Sequence, residues 1–281
     1  MRKITFIFLI CLFVFSPSAV SANPDISVFL DGNKLEFDVK PTIVNGSTLV
    51  PLRKIFEAQG ATVQWDDETK TVTATKDGTV ITYTIGSQTA KKNTDTILLT
   101  VPGQIINGST MVPLRFVSEA LGSTVGWEGK SRTITISSAT KQKGKVLRVI
   151  EGDIIEVDLG GKVEKLYLIG ADAPEMLHPF RGELPYAKEA SNFTKGQLEG
   201  KTVMVEFDVE QRDEVGRLLG YVYLENGTFF NATLVAEGYA QLSTIPPNVR
   251  WVELFTYLQS DARKNLRGLW SVDPNNAQTG Q

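Results

Sequence analysis

The chain has 281 residues, of which 42% are hydrophobic and 22% are charged, and its formal net charge is −3. This length is enough for two domains with their own cores, and the composition is that of globular protein rather than of a disordered chain. From residue 141 to the end there are 16 basic and 20 acidic residues. That balance argues against tight non-specific binding to nucleic acid, which depends on Lys and Arg at the phosphates.

The first 22 residues have the pattern of a secretory signal peptide. Arg2 and Lys3 precede an apolar run over residues 4–15, and the small residue Ala22 ends the segment. We expect cleavage after Ala22, export, and loss of Cys11, the only cysteine, so that the mature chain has no disulfide. An uncleaved membrane anchor is the alternative, although the apolar run is shorter than the ~20 residues that a bilayer requires.

An internal repeat follows. The segment NGSTLVPLR at 45–53 returns 62 residues later as NGSTMVPLR at 107–115, and 16 of the 30 positions over 45–74 are identical at this offset. Asn-Gly predicts a tight turn, and Pro51 predicts the first position of a helix that ends at Gly60. Each unit is therefore predicted as a strand, a helix and a hairpin, duplicated so that the two copies pack together.

These motifs resemble the copper amine oxidase N-terminal domain-like module of secreted Gram-positive proteins. We place this domain at residues 23–138 and a linker of small, polar and basic residues at 139–144. The half contains no His and no Cys, the usual copper ligands, so we expect no copper. The resemblance implies secretion, with cell-wall or envelope material as a possible partner of the module.

Two residue types recur in the repeat and have two interpretations each. Arg53 and Arg115 are either binding residues or hold helix starts and cross-repeat carboxylates. Trp65 and Trp127 are either sugar-stacking platforms or core and half-buried strand residues. For both pairs we expect the structural role.

The second half carries acids and an arginine on short segments that contain Gly and Pro. They read EGD at 151–153, ADAPE at 171–175 and DEVGR at 213–217. Carboxylate oxygens are the ligands that Ca²⁺ prefers, and a further carboxylate beside them suits general-base chemistry on water. The pattern of strands followed by helices around these segments predicts a barrel with helices packed at one side.

Residues 145–271 resemble the staphylococcal nuclease (thermonuclease) family, whose members are secreted Ca²⁺-dependent phosphodiesterases. Besides the acids, the resemblance rests on LIGADAPE, AKEASNFT, PPNV and RGLW, which occur in family order at 168–175, 187–194, 246–249 and 267–270. It implies a five-stranded OB-fold barrel with three helices. The fold class is therefore α+β with two domains, and residues 272–281 form a polar tail.

The resemblance assigns roles to five residues. Asp153 and Asp172 would be carboxylate ligands of Ca²⁺, and the backbone carbonyl of Ala173 would be a third ligand. Glu175 would be the general base that takes a proton from the attacking water. Arg217 would neutralise charge that develops on the phosphate.

The sequence departs from the family at three substrate-facing positions. Tyr167 stands where the family has a second arginine, and Val215 and Ile245 stand where it usually has tyrosines. A tyrosine donates one neutral hydrogen bond where a guanidinium offers a charged fork. Lys165, two residues away on the same strand face, is a candidate to replace part of the charge, although it is displaced by about 7 Å along the strand.

Two more residues near these motifs have expected roles. Glu151 is an acid that would tune the metal site. His178, the only histidine, is expected to have a structural role in its loop.

The sequence leaves three functions open. The first is a secreted Ca²⁺-dependent nuclease, weakened by Tyr167, that hydrolyses single-stranded or frayed DNA or RNA. The second is a non-catalytic OB-fold binding module, which the acidic balance and the three departures favour. The third is an envelope scaffold in which residues 23–138 bind cell-wall material.

Overall fold

The structure is a computed structural model that describes residues 25–177 and 180–271. The predicted signal peptide at 1–22, Cys11, His178 and the tail at 272–281 lie outside the described residues. Within the described ranges, no helix is both long enough and apolar enough to cross a membrane.

Residues 25–137, which we call the repeat module, form three sheets and two short helices. The strands are β1 Ser27–Leu30, β2 Asn33–Leu35, β3 Thr42–Val44, β4 Ser47–Pro51, β5 Thr62–Asp66, β6 Thr71–Lys76, β7 Thr79–Thr84, β8 Thr89–Lys92, β9 Asp95–Leu98, β10 Gln104–Ile106, β11 Ser109–Pro113, β12 Thr124–Glu128 and β13 Thr133–Ser137. The helices are α1 Leu52–Ala58 and α2 Leu114–Ala120. The sheet orders are β12-β13-β1-β2, β10-β11-β4-β3 and β5-β6-β7-β8-β9.

The two predicted units have the same element order and nearly the same bounds at the 62-residue offset. In each, a strand runs into a helix that is followed by a hairpin, and the two helices contact each other. Strands β4 and β11 pair antiparallel with Val50 opposite Val112. Leu52, Ile55 and Phe56 give α1 its buried side, as their helical spacing predicts. Descent of the units from a duplication stays a prediction.

Residues 141–271, which we call the barrel domain, form a closed five-stranded barrel with three helices, and that part of the prediction is confirmed. Its strands, in the order β14-β15-β16-β18-β17 around the barrel, are β14 Lys141–Glu151, β15 Ile154–Asp158, β16 Val163–Leu168, β17 Thr202–Glu206 and β18 Leu218–Leu224. Its helices are α3 Ala187–Leu198, α4 Phe230–Glu237 and α5 Val252–Lys264, and a 3₁₀ turn Gly268–Ser271 follows.

The linker is shorter in the structure than the sequence suggested. Residues 141–144, which we expected in a linker at 139–144, are the first residues of β14 and pair with β17, Lys141 lying opposite Glu206. Their small and polar composition suggested a linker, but backbone pairing with β17 decides their conformation. The connection between the two halves is reduced to residues 138–140.

The repeat module packs directly on the barrel domain. Phe29 of β1 belongs to the same buried cluster as the barrel residues Phe255 and Trp251. A side chain at Gly32 would lie 1.7 Å from the carbonyl oxygen of Arg250, so only glycine allows this approach. The two halves therefore share part of one core.

A buried carboxylate lies at the junction of the two halves. Glu206 is fully buried and accepts hydrogen bonds from Ser137 Oγ at 2.6 Å, Arg250 Nη1 at 2.8 Å and Trp251 Nε1 at 3.3 Å. Lys141 Nζ lies 3.3 Å from the same carboxylate and is itself buried. Because the Glu206 carboxylate is buried away from water, these partners are needed to offset the free-energy cost of burying its charge.

We predict that Lys141→Met destabilises the full chain by about 3 kcal/mol, since it removes one of the two cations beside a buried carboxylate. Lys143→Met, at an exposed position on the same strand, is the matched control and should change stability by less than about 0.5 kcal/mol. Urea unfolding measures both. Equal effects of the two substitutions would contradict a stabilising role for the buried ion pair.

Candidate active site

The turn between β14 and β15 lies against α3 and the loop that follows β16. A side chain at Gly152 would place its Cβ 2.6 Å from the Cβ of Ala173 and 3.0 Å from that of Ala190. The Thr194 hydroxyl donates a buried hydrogen bond of 2.6 Å to the carbonyl oxygen of Gly152. The glycine thus allows the turn to approach closely, and this places Asp153 beside the Asp172–Ala173 backbone.

The loop that carries Asp172 is held by Gln241. The two residues exchange backbone hydrogen bonds of 2.9 Å, and Gln241 Nε2 donates to Asp172 Oδ2 at 2.9 Å. Gln241 is a positioning residue that the sequence analysis missed. It lies 69 positions from Asp172 and in no local motif, so only the tertiary structure reveals the contact.

Four carboxylates influence one another at this site. Burial raises the pKa of Asp153 to about 7, and the charges of Asp172 and Glu151 add to the effect, against the backbone N–H groups of Asp153 itself and Ala173. Burial also raises the pKa of Glu151, and the charge of Glu175 adds to it. Electrostatic interactions thus connect Glu175 with Glu151, Glu151 with Asp153, and Asp153 with Asp172, and we call these four acids the acidic cluster.

The predicted Ca²⁺ ligands fit a hard cation by their chemistry. Within residues 25–177 and 180–271, no group of three or more His, Cys, Asp or Glu side chains has a metal-holding arrangement. The predicted donors are instead two carboxylates, of Asp153 and Asp172, with the carbonyl of Ala173. Calcium takes six to eight oxygens and accepts carbonyls and waters among them. A cation there would offset the repulsion that raises the pKa of Asp153.

Glu175 differs from Asp153 in its access to water. Its side chain is exposed, while its carbonyl oxygen accepts a hydrogen bond of 3.1 Å from the N–H of Leu184. This bond fixes the backbone on the C-terminal side of the acidic cluster. A carboxylate that meets solvent beside other acids suits proton transfer from water.

The second part of the site is the turn 213–217. Asp213 Oδ1 accepts hydrogen bonds from the N–H groups of Val215 at 3.1 Å and Arg217 at 2.9 Å, and the Arg217 guanidinium pairs with Oδ2. Desolvation works against the charge of Asp213, but these bonds keep its pKa below the ordinary value. The guanidinium also lies over the ring of Tyr167, 5.0 Å from its centre. Tyr167 is thus a neighbour of Arg217.

A pocket of about 330 Å³ opens beside this turn. Arg217, Val215 and Ile245 line it together, with Glu210 and Glu214 among the other lining residues. The two positions where the resemblance implies tyrosines therefore face one pocket. Its acidic lining does not favour a phosphate, and Arg217 is the cation among the lining residues.

Lys165 does not contribute to the lining of this pocket. It pairs across β15 with Glu156, and its charge helps to lower the pKa of that carboxyl after the larger effect of Arg148. It is absent from the residues that line the pocket. The structure therefore gives Tyr167, and not Lys165, a contact with the predicted phosphate-binding arginine.

Comparisons with known proteins agree with both halves of the chain. Residues 29–136 match the family "Copper amine oxidase N-terminal domain", and residues 165–272 match "Staphylococcal nuclease homologue". A thermonuclease of Staphylococcus hyicus is 35% identical over 181 residues, which are 64% of this chain and 99% of that protein. A thermonuclease of Staphylococcus intermedius is 40% identical over 47% of this chain and 80% of that protein. An uncharacterised endonuclease of Escherichia coli is 37% identical over 47% and 79%.

We predict that Asp153→Asn stabilises the metal-free protein at pH 8 by roughly 2 kcal/mol, because it removes a partly buried charge that neighbouring acids repel. Asp95→Asn, at an exposed position of the repeat module, is the control and should have almost no effect. Thermal unfolding in the presence of a chelator measures the difference. A lower melting temperature for Asp153→Asn than for the control would show that the carboxylate does not experience net repulsion.

Proposed function

This chain belongs to the thermonuclease family, and on that premise we propose that it is a Ca²⁺-dependent phosphodiesterase that hydrolyses DNA or RNA. The observation that carries the proposal is the acidic cluster of Asp153, Asp172 and Glu175, with the turn that presents Arg217. This hydrolysis requires three kinds of group: acids that could ligate a metal ion, an acid open to water, and a positively charged side chain for the phosphate.

Asp153, Asp172 and the carbonyl of Ala173 are the residues that would hold Ca²⁺. When bound, the ion supplies positive charge to a non-bridging phosphate oxygen. Gln241 keeps Asp172 oriented through its amide, and Gly152 keeps Asp153 near the loop. The proposed role of these two residues is to position the donors.

In the proposed reaction, Glu175 accepts a proton from water as the water oxygen bonds to phosphorus. The phosphorus–oxygen bond to the leaving nucleotide breaks, and that oxygen takes a proton from solvent. Arg217 donates hydrogen bonds to the phosphate as negative charge builds on it. For this, its guanidinium must exchange part of its pairing with Asp213 for the phosphate.

The substrate expected at this site is single-stranded or frayed nucleic acid, bound weakly. The acidic lining near Arg217 opposes a polyanion, and Val215 and Ile245 offer no ring on which a base could stack. Tyr167 supplies a face for Arg217 but no second charge. A phosphate-binding arginine can be worth about 10³–10⁵ in rate, so we propose that activity is reduced relative to a site with two arginines.

A non-catalytic binding module is the second candidate, and the single cation at the pocket favours it. Export is part of the proposal through the signal-like segment at 1–22, which lies outside the described residues. Binding of envelope material by the repeat module is compatible with either candidate, because the pockets of that module lie outside the acidic cluster.

The test is cleavage of single-stranded DNA and RNA by the purified mature chain. We expect Ca²⁺-dependent hydrolysis that a chelator stops, and a loss of at least about 100-fold in kcat for Glu175→Gln, which cannot accept a proton. Glu189→Gln, an exposed glutamate on α3, should retain full activity. If Glu175→Gln cleaves as fast as the wild type, or if no cleavage occurs with Ca²⁺ present, the nuclease proposal is wrong and the binding module replaces it.

A second experiment addresses Tyr167. Tyr167→Arg places a second guanidinium beside Arg217, where a phosphate can bind both, and we expect kcat to rise at least about 10-fold. Tyr167→Phe keeps the ring under Arg217 and should leave kcat within about two-fold of wild type. A folded Tyr167→Arg variant, as judged by its melting temperature, that shows no gain in cleavage would contradict the view that a missing cation limits the rate.

A further inference from the structure

The repeat module contains two equivalent pockets. The first, pocket A, has a volume of about 540 Å³, and Trp127 and Arg115 of the second unit line it. Ile43, Ser47 and Thr48, from the β3–β4 hairpin of the first unit, also line it. Pocket A is therefore built from both units.

The second, pocket B, has a volume of about 330 Å³ and the reciprocal composition. Trp65 and Arg53 of the first unit line it, together with Ile105, Ser109 and Thr110 of the β10–β11 hairpin of the second unit. Each of these five residues lies 62 positions before or after its counterpart in pocket A. The antiparallel pairing of β4 with β11 brings each turn to the tryptophan of the other unit.

Both tryptophans present their rings to solvent. Trp65 is 38% exposed and Trp127 is 41% exposed, so each is half-buried and keeps part of its surface open to the pocket that it lines. The structure thus agrees with the expectation of half-buried strand residues, and the exposed part of each ring lines a pocket. Apolar rings beside a few hydroxyl groups, in cavities of this size, are typical of small-molecule sites rather than of flat surface.

The charge of each pocket is balanced. Arg53 pairs with Glu57 at 3.3 Å and donates to the carbonyl oxygen of Val63 at 3.1 Å, and Arg115 pairs with Glu119 at 3.0 Å. The expected cross-repeat carboxylates are thus replaced by a glutamate one turn along the same helix. Single-stranded nucleic acid requires a positively charged groove besides aromatic rings, and these pockets lack that excess.

We infer that pockets A and B are two equivalent binding sites for a neutral glycan. A pyranose ring has an apolar C–H face that packs on an indole ring, and its hydroxyl groups match the Ser and Thr hydroxyls and the guanidinium at the pocket wall. A polymer with a repeated sugar unit offers the same group to both pockets. The inference concerns the repeat module and is independent of catalysis in the barrel domain.

The test is retention of the full mature chain on insoluble cellulose, chitin and mannan, with heparin and single-stranded DNA on resin as anionic probes. We expect retention on a neutral glycan, and a loss of at least about 10-fold in affinity for the double variant Trp65→Ala/Trp127→Ala. Leu98→Ala, an exposed apolar position outside both pockets, should bind as the wild type does. Three results would overturn the inference. The chain could bind only the anionic probes, it could bind none of the neutral glycans, or the double variant could bind as tightly as the wild type.

A titration with a soluble oligosaccharide of the retained polymer tests the equivalence of the pockets. The wild type should bind two oligosaccharides per chain, and Trp65→Ala and Trp127→Ala should each bind one. Trp65→Phe/Trp127→Phe keeps an aromatic ring at both positions and should retain both sites, and melting temperatures show whether each variant is folded. Two sites remaining in both single alanine variants would contradict the assignment.

Discussion

The close approach of the Gly152 turn to Ala173 and Ala190 is the constraint on which the proposed chemistry depends. It withdraws the Asp153 carboxylate from water and sets it beside Asp172, so that burial and repulsion raise its pKa to about 7. Without a cation, this arrangement costs folding free energy. The hydrogen bond from Thr194 and the shared barrel and helix core hold the turn in place despite that cost. Under the proposed function, a bound cation would offset this cost.

The phosphate side of the site is less complete. Arg217 is held by its own turn through Asp213 and lies on the face of Tyr167, so one guanidinium serves where the family resemblance implies two. Val215 and Ile245 line the neighbouring pocket and contribute no aromatic ring to it. Under the proposed function, metal binding and substrate binding can differ in strength at one site, because the residues proposed for them lie on separate segments.

The family resemblance, carried by short motifs such as ADAPE, implied the five-stranded barrel, its three helices and the acids of the site, while the local strand and helix patterns predicted only a barrel with helices packed at one side. The sequence did not predict the Gln241–Asp172 contact or the union of the two halves through Phe29 and Glu206. Those depend on residues far apart in the chain. The strand at 141–144 has a linker-like composition, and only its partner β17 makes it a strand. For the two pockets of the repeat module, the sequence analysis identified the paired residues Arg53 and Arg115, and Trp65 and Trp127, but not the pockets that they line.

The repeat module and the barrel domain share a closely packed boundary. Gly32 and Gly227 each allow a backbone of the other half to approach closely, and Lys141 and Arg250 neutralise the Glu206 carboxylate at this boundary.

The measurement that tests the central claim most directly is calorimetric titration of the full mature chain with Ca²⁺. The account predicts one ion per chain with sub-millimolar affinity, and no binding to Asp153→Asn/Asp172→Asn. Absence of binding to the wild type, or equal binding to that variant, would contradict it.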